Sequence, residues 1–295
     1  MKSNSWLSAN IYYDKSANIF LRGTILNLVK SIEKKFFPTK YFFIRYQDSI
    51  GKHIRLRIKT KTGYDKQLIK DYILDKTRLT DGNSRKRYEF AQIRFNEYVP
   101  EFYRYGGNVG LEISEAQFHV SSNTILSLIS RDLLEQYENT LGISLQLHTG
   151  FISKMNLNAY DAVLFFKNYT KVWHPEIITG IDKDTNNNFI EELKNQAEKL
   201  YPMIKVLWDN IDREFEEAWF NKWIKQHEKI HSRILEEETE IKKYLREYGD
   251  NNIYSNNIWK LYASYIHMTN NRLGILNHDE GSVSYILHEI FKRIN

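Results

Sequence analysis

His53-Ile54-Arg55-Leu56-Arg57-Ile58 follows Tyr41-Phe-Phe-Ile-Arg-Tyr46 after a short polar link, Gln47-Asp-Ser-Ile-Gly-Lys52. Both runs are rich in the aromatic and β-branched residues that strands favour, and Asp48, Ser49 and Gly51 are residues that turns favour. The stretch therefore reads as two strands around a turn. Alternate residues of a strand share a face. His53, Arg55 and Arg57 fall on one face, and Ile54, Leu56 and Ile58 on the other. The apolar trio can pack on a core, which leaves two guanidiniums and an imidazole in a row of roughly 13 Å. Like charges two residues apart repel. Two readings follow. The row is a solvated face, or one neutralised by acids from elsewhere. Alternatively it is a docking surface for a carboxylate or phosphate, which arginine grips with a planar fork of donors.

Outward from this pair the chain has a rhythm. Trp6 to Tyr13 alternates as a strand does. Residues 17–36 carry Ile19, Phe20, Ile25, Leu26, Val29, Ile32 and Phe36 near helical spacing, and Pro38 stops that helix. Residues 65–77 give a second helix through Leu68, Ile69, Tyr72 and Ile73, and Lys86 to Tyr98 returns to extended structure. Strand, helix, strand, strand, helix, strand is the ferredoxin-like, split βαβ order. It predicts a sheet with two helices on one face and the other face open to a second lobe or a ligand. Beyond residue 110 the spacing turns helical: Ser114–Tyr137, Leu141–Ser153, Asn158–Tyr169, then long helices over 187–248 with a break expected at Tyr201-Pro202. Asp182-Lys-Asp-Thr-Asn-Asn-Asn188 reads as a polar loop without the glycine and terminal Glu of an EF-hand. The expected class is α+β, a sheet lobe over 1–110 and a mainly helical lobe over 111–295, in one integrated domain.

Composition narrows the function classes. With 295 residues, 42% hydrophobic and 27% charged, the chain can bury a substantial core. No apolar run approaches the ~20 residues of a membrane span, and Met1-Lys-Ser-Asn-Ser-Trp-Leu lacks the apolar segment of a signal peptide. A cytoplasmic location is expected. Cysteine is absent, which removes disulfides, thiol nucleophiles and thiolate metal sites. The histidines show no HExxH spacing, and P-loop, GxGxxG and GxSxG motifs are missing. The net charge of +5 and the 20 Tyr and 16 Phe are compatible with nucleic-acid binding. Most of these aromatics sit at core periods, so direct RNA or DNA binding is the less favoured reading.

Two further constellations carry possible chemistry. In Pro100-Glu-Phe-Tyr-Arg104-Tyr105-Gly-Gly107 the glycine pair permits a tight bend beside Arg104; as structure alone it is a strand-to-helix turn, with Arg104 pairing Glu101. In Ser264-Tyr-Ile-His267-Met-Thr-Asn-Asn271-Arg272-Leu-Gly274, His267 and Asn271 share a helix face; as structure alone His267 is a satisfied core histidine.

Taken in order, Trp6-Leu-Ser-Ala-Asn-Ile-Tyr-Tyr13, Phe42-Phe-Ile-Arg-Tyr-Gln-Asp48, Lys52-His-Ile-Arg-Leu-Arg57, Pro100-Glu101…Arg104-Tyr-Gly-Gly107 and His267-Met…Asn271-Arg-Leu-Gly274 resemble the C-terminal domain of lantibiotic dehydratases, also called the thiopeptide-type bacteriocin biosynthesis domain. The resemblance covers essentially the whole chain. It implies a freestanding small subunit that eliminates glutamate from glutamylated Ser or Thr of a precursor peptide, leaving dehydroalanine or dehydrobutyrine. It places the elimination chemistry on Arg55, Arg57, Arg104 and His267, with His53, Tyr105, Asn271 and Arg272 as substrate contacts. His267 would serve as base or as acid. Pro100 stands where some relatives carry a further arginine. The implied partners are the leader and core of the precursor peptide and a large glutamylating subunit. Through that subunit alone glutamyl-tRNA enters, with no direct DNA contact. No metal or redox cofactor is implied. Another branch with the same scaffold, the thiopeptide pyridine synthases, joins two dehydroalanines in a formal [4+2] cycloaddition and releases the leader. A third reading is a non-catalytic module that binds the precursor peptide.

Overall fold

The computed structural model describes residues 5–14, 16–78, 92–179, 183–245, 254 and 257–295. Contacts divide the chain into two compact units, Met1–Pro100 with Phe118–Glu135, and Glu101–Gln117 with Gln136–Asn295. Helix α4 (Gly107–Ser130) contributes residues to both.

The first unit holds β1 (Trp6–Tyr12), α1 (Ala17–Phe20), a π-helical turn (Leu21–Ile25), α2 (Leu26–Phe36), β2 (Lys40–Gln47), β3 (Lys52–Lys59), α3 (Gly63–Arg78) and β4 (Gln92–Asn96). The sheet order is β2-β3-β1-β4 with every pair antiparallel, the expected ferredoxin-like topology. Expected residues 86–91 of the last strand lie outside the described ones. Ala9, Ile11, Ile54, Leu56 and Phe43 are fully buried on one face. Phe95 stands opposite Ala9 on that face, and α3 lays Lys70 over its ring. Phe36 of α2 meets Tyr72 of α3 edge-on at 5.4 Å. The edge strand β2 is closed by side chains from the middle of α4. Phe43 N–H donates to Ser122 Oγ at 3.1 Å, and His119 Nδ1 lies 2.9 Å from the Tyr41 carbonyl and 3.2 Å from its N–H.

The second unit is helical: the start of α4, then α5 (Tyr137–Lys154), α6 (Ala159–Trp173), α7 (Pro175–Thr179), α8 (Lys183–Asp209), α9 (Ala218–Glu236), α10 (Glu238–Leu245), α11 (Ile258–Leu273) and α12 (Asn277–Ile294). Asn158 caps α6 by accepting from Asp161 N–H. α11 is buried on nearly every side, the signature of a central helix. α12 packs on α6, with Phe166 and Phe291 stacked at 5.8 Å.

Three local expectations are corrected. The break at Pro202 does not occur; α8 runs through it. Buried Leu193, Ala197, Ile204 and Leu207 continue one stripe across the proline. Their burial, about 1.5–3 kcal/mol for each large side chain, outweighs the ~3 kcal/mol proline costs a helix. The chain breaks instead over 210–217. Residues 183–188, read as a loop, form the first turns of α8. And α4 starts at Gly107 rather than Ser114, directly from the glycine pair.

Candidate functional site

The charged row on β3 lies on a face that the pairing register now completes. Arg57 is level with Ser8 and Phe42, Arg55 with Asn10 and Ile44, and His53 with Tyr12 and Tyr46. The solvated reading of this face is overturned: His53 is fully buried and Arg57 is 8% exposed. Apolar burial alone makes an arginine costly, so its neighbours matter. Arg57 Nη1 reaches the Ala9 and Leu56 carbonyls at 3.4 and 3.3 Å and Asn10 Oδ1 at 3.4 Å, all long. Phe42, which stands level with it, meets Trp6, Tyr98 and Phe118. Burial, with Arg55 adding repulsion, pushes the Arg57 guanidinium down to about 10. The Arg55 guanidinium lies 3.3 Å from the centre of the Tyr46 ring.

His53 donates from Nδ1 to the Gly51 carbonyl at 3.2 Å, and its ring packs on Tyr12 at 4.6 Å. Burial holds the imidazole below its ordinary value, and Arg55 and Arg57 act in the same direction. Asp48 stands near but is taken: it accepts from Tyr12 Oη at 2.9 Å and from the Ile50 and Gly51 N–H groups. Ser8 Oγ, His53 Nε2 and Arg55 Nε are buried on this face without a hydrogen-bond partner. A folded protein leaves few such groups unmet, because each costs about 1–3 kcal/mol. The face thus carries guanidiniums beside buried polar groups whose hydrogen bonds are unmet.

In the second unit, Gly106 and Gly107 both have φ +77°, and a Cβ on either would strike Ile241 or Tyr244 of α10. Only glycine fits this turn. It aims Arg104 at α11, where Nε donates to Ser264 Oγ at 3.2 Å, while Nη1 reaches Glu101 at 3.3 Å. The expected Arg104–Glu101 pair exists, but Glu101 is largely exposed and screened. Ser264 is one turn before His267, so the fold does bring Arg104 and His267 to one stretch of α11. Tyr105 is buried beneath the Arg104 guanidinium. Asn271 is half-buried. Arg272 is fully enclosed, its Nη1 donating to the Met268 carbonyl at 2.7 Å, and burial pushes it down to about 9.

His267 is not a plain core histidine. Its ring stacks on Trp173 at 4.4 Å and its side chain keeps one-fifth of its exposure. Nδ1 donates to Glu280 at 3.1 Å. Glu280, 1% exposed, also accepts from Tyr169 Oη at 2.6 Å and from Asn270 Nδ2 at 3.2 Å, and Asn270 accepts in turn from His148 Nε2 at 2.7 Å. Burial, with the Glu280 charge, raises Tyr169 well above its ordinary value and keeps it a donor. Burial lowers His148 to about 4. With Nδ1 donating to a buried carboxylate, Nε2 of His267 carries the ring's lone pair, a geometry that can serve a base oriented by an acid. Gly281 makes it possible: a Cβ there would stand 2.4 Å from His174 Cβ, so α12 closes on the end of α6 only with glycine next to Glu280.

Glu280, Ser264, Trp173 and Tyr169 were not singled out from the sequence. One signal for Glu280 was present. It shares the buried stripe of α12 with Val283, Leu287 and Ile290, an odd place for a carboxylate. Among the described residues no cluster of acids and histidines is placed to hold a metal, and no helix is long and apolar enough to cross a membrane.

Comparison with known proteins agrees with this organisation. A family profile described as "Lantibiotic biosynthesis dehydratase C-term" matches residues 6–291. The nisin biosynthesis protein NisB of Lactococcus lactis subsp. lactis is 25% identical over 98% of this chain, which spans about a quarter (25%) of that protein's length. The tRNA-dependent lantibiotic dehydratase MibB from Microbispora sp. 107891 superposes with a TM-score of 0.65 at 17% identity, covering 100% of this chain and 28% of that one. The pyridine synthase TbtD from thiomuracin biosynthesis superposes with a TM-score of 0.65 at 9% identity over 98% of each chain.

Proposed function

Because this chain belongs to the family of lantibiotic biosynthesis dehydratase C-terminal domains, we propose that it is the enzyme that eliminates glutamate from glutamylated Ser or Thr of a ribosomal precursor peptide. The observation that carries the reading is His267, held through Nδ1 by the buried Glu280 with Nε2 left for substrate. In the reaction, Nε2 takes the Cα proton, the Cα–Cβ double bond forms, and the Cβ–O bond breaks with its electron pair leaving on the glutamate carboxyl. Arg55 and Arg57 hold that carboxyl and stabilise its growing charge. Arg104 supports the enolate that forms as the Cα proton leaves. His53, Tyr105, Asn271 and Arg272 complete the proposed substrate contacts. The chemistry asks for no metal or redox group. A large glutamylating partner using glutamyl-tRNA would supply the acylated peptide, in the cytoplasm.

The test is direct. The purified chain is mixed with a glutamylated precursor peptide and followed by mass spectrometry. Release of free glutamate, leaving each former Ser or Thr one water lighter, is the expected result. A second reading, pyridine synthesis by formal [4+2] cycloaddition of two dehydroalanines, draws support from a fold shared with TbtD over nearly the whole of both chains. It takes over if the chain leaves glutamyl esters intact but converts a dehydroalanine-containing peptide to a macrocycle with loss of its leader. A non-catalytic binding module is left if the peptide is bound and neither change occurs.

A further inference from the structure

The sheet face that carries Arg55 and Arg57 extends one strand further than the sequence shows. Arg94 of β4 stands opposite Asn10 of β1, and Asn10 stands opposite Arg55 of β3. Ile44, Arg55, Asn10 and Arg94 therefore form one row across the four strands, all on the same face. Arg55 and Arg94 are two strands apart, about 10 Å between backbones, with the short Asn10 between them. The Arg55 guanidinium lies over Tyr46 of β2 and that of Arg94 near Tyr12 of β1, so the short Asn10 leaves a gap between the two that a small ligand can enter. Arg94 is exposed, and its guanidinium lies 6.0 Å from the Tyr12 ring. Among the described residues it has no carboxylate partner, and the same holds for Arg55 and Arg57.

The composition of the face sharpens this. Its strand positions are Trp6, Ser8, Asn10 and Tyr12; Lys40, Phe42, Ile44 and Tyr46; His53, Arg55, Arg57 and Lys59; Gln92, Arg94 and Asn96. Not one is acidic. Asp48, which lies 3.8 Å from His53, is bound by Tyr12 and the turn. Arg55 and Arg57 suffice for one carboxylate, so a third guanidinium in line, flanked by the unpartnered Ser8 Oγ, points to a second negative group on the same ligand.

We propose that Arg94 recognises the distal carboxylate of the acyl group, and so makes the reaction selective for a dicarboxylic acyl ester over a neutral one of the same size. This rests on the elimination reading above: the carboxyl at Arg55 and Arg57 departs, and the carboxylate at Arg94 does not react.

The experiment uses the full chain and two synthetic peptides, acylated on one serine with a glutamyl or a glutaminyl group. Release of glutamate or glutamine and the matching dehydroalanine are read by mass spectrometry. The wild-type chain is expected to favour the glutamyl ester by about 10- to 100-fold in kcat/KM, the range of one charge-assisted hydrogen bond. Arg94→Ala is expected to bring that ratio to within about threefold of one, mainly by raising KM for the glutamyl ester, and Arg94→Lys to restore part of it. A ratio that stays at the wild-type value in Arg94→Ala, or an equal fall on both esters, overturns the assignment and leaves elimination standing. A wild-type chain that releases neither group overturns the elimination reading and this inference with it.

Discussion

The sheet face and the His267 cluster solve opposite problems. On the sheet, guanidiniums are placed together among polar groups left unmet: Ser8 Oγ, His53 Nε2 and Arg55 Nε have no partner, and Arg57 makes only long hydrogen bonds. In the helices the Glu280 carboxylate is fully engaged, with Tyr169, Asn270 and His267 all donating to it. The first region leaves hydrogen-bonding groups open, as the proposed site would need. The second spends its hydrogen bonds in advance to hold one imidazole in one tautomer. Binding power comes from incompleteness, and orientation comes from completeness.

The largest effects should come from the groups at the reacting atoms. His267→Ala is expected to slow elimination by about 10²- to 10⁴-fold, as loss of a general base does, with glutamylated peptide accumulating in the mass spectrum. Arg57→Ala should accumulate the same species through loss of about 10²- to 10³-fold. The pair separates on proton exchange at Cα. Arg57→Ala is expected to keep the base-catalysed exchange of the Cα proton with deuterated water, and His267→Ala to lose it. If His267→Ala keeps that exchange, His267 is not the base.

Glu280→Gln tests completeness. The amide keeps the size but brings its own N–H toward three donors that need an acceptor. We expect kcat to fall about 100-fold with little change in KM, and stability to fall about 1–3 kcal/mol, read by single-turnover kinetics and urea unfolding. An unchanged kcat would make the cluster purely structural. Gly281→Ala should act on the same cluster from outside, by lifting α12 off His174; a loss of about 1–3 kcal/mol is expected for overpacking.

The smallest effect is pH-dependent stability. His148 and His227, both buried, have folded values lowered to about 4. The unfolded chain takes up these protons near the ordinary histidine value of ~6.5. Stability from these groups is therefore whole above about pH 6.5 and is lost as pH falls toward 4. The lowered His53 adds in the same sense. Denaturation midpoints between pH 7 and 4 measure it, and a His148→Gln variant should flatten the slope.

The parts of this molecule visible in the sequence are those with a short period. Alternation along residues 53–58 was enough to put His53, Arg55 and Arg57 on one face, and the strand–helix order was enough for the topology. Arg94 was invisible because its place on that face depends on the β1–β4 register, which no local pattern encodes. Glu280 sits 13 residues from His267, and the two meet only because α12 folds back along α6. Pro202 shows the reverse, where a strong local rule is defeated by a stripe of burial running to either side of it.

The bonds from α4 to β2 carry one more consequence. An outermost strand offers bare N–H groups to any other chain, and that is how sheets recruit copies of themselves into aggregates. Ser122 and His119 occupy that margin at Phe43 and Tyr41. If α4 were lifted from this edge, the strand beneath is Tyr41-Phe-Phe-Ile-Arg-Tyr46, aromatic, β-prone and carrying a single charge, a good template for growth. Those few side-chain bonds keep part of the strand's margin closed to a second chain.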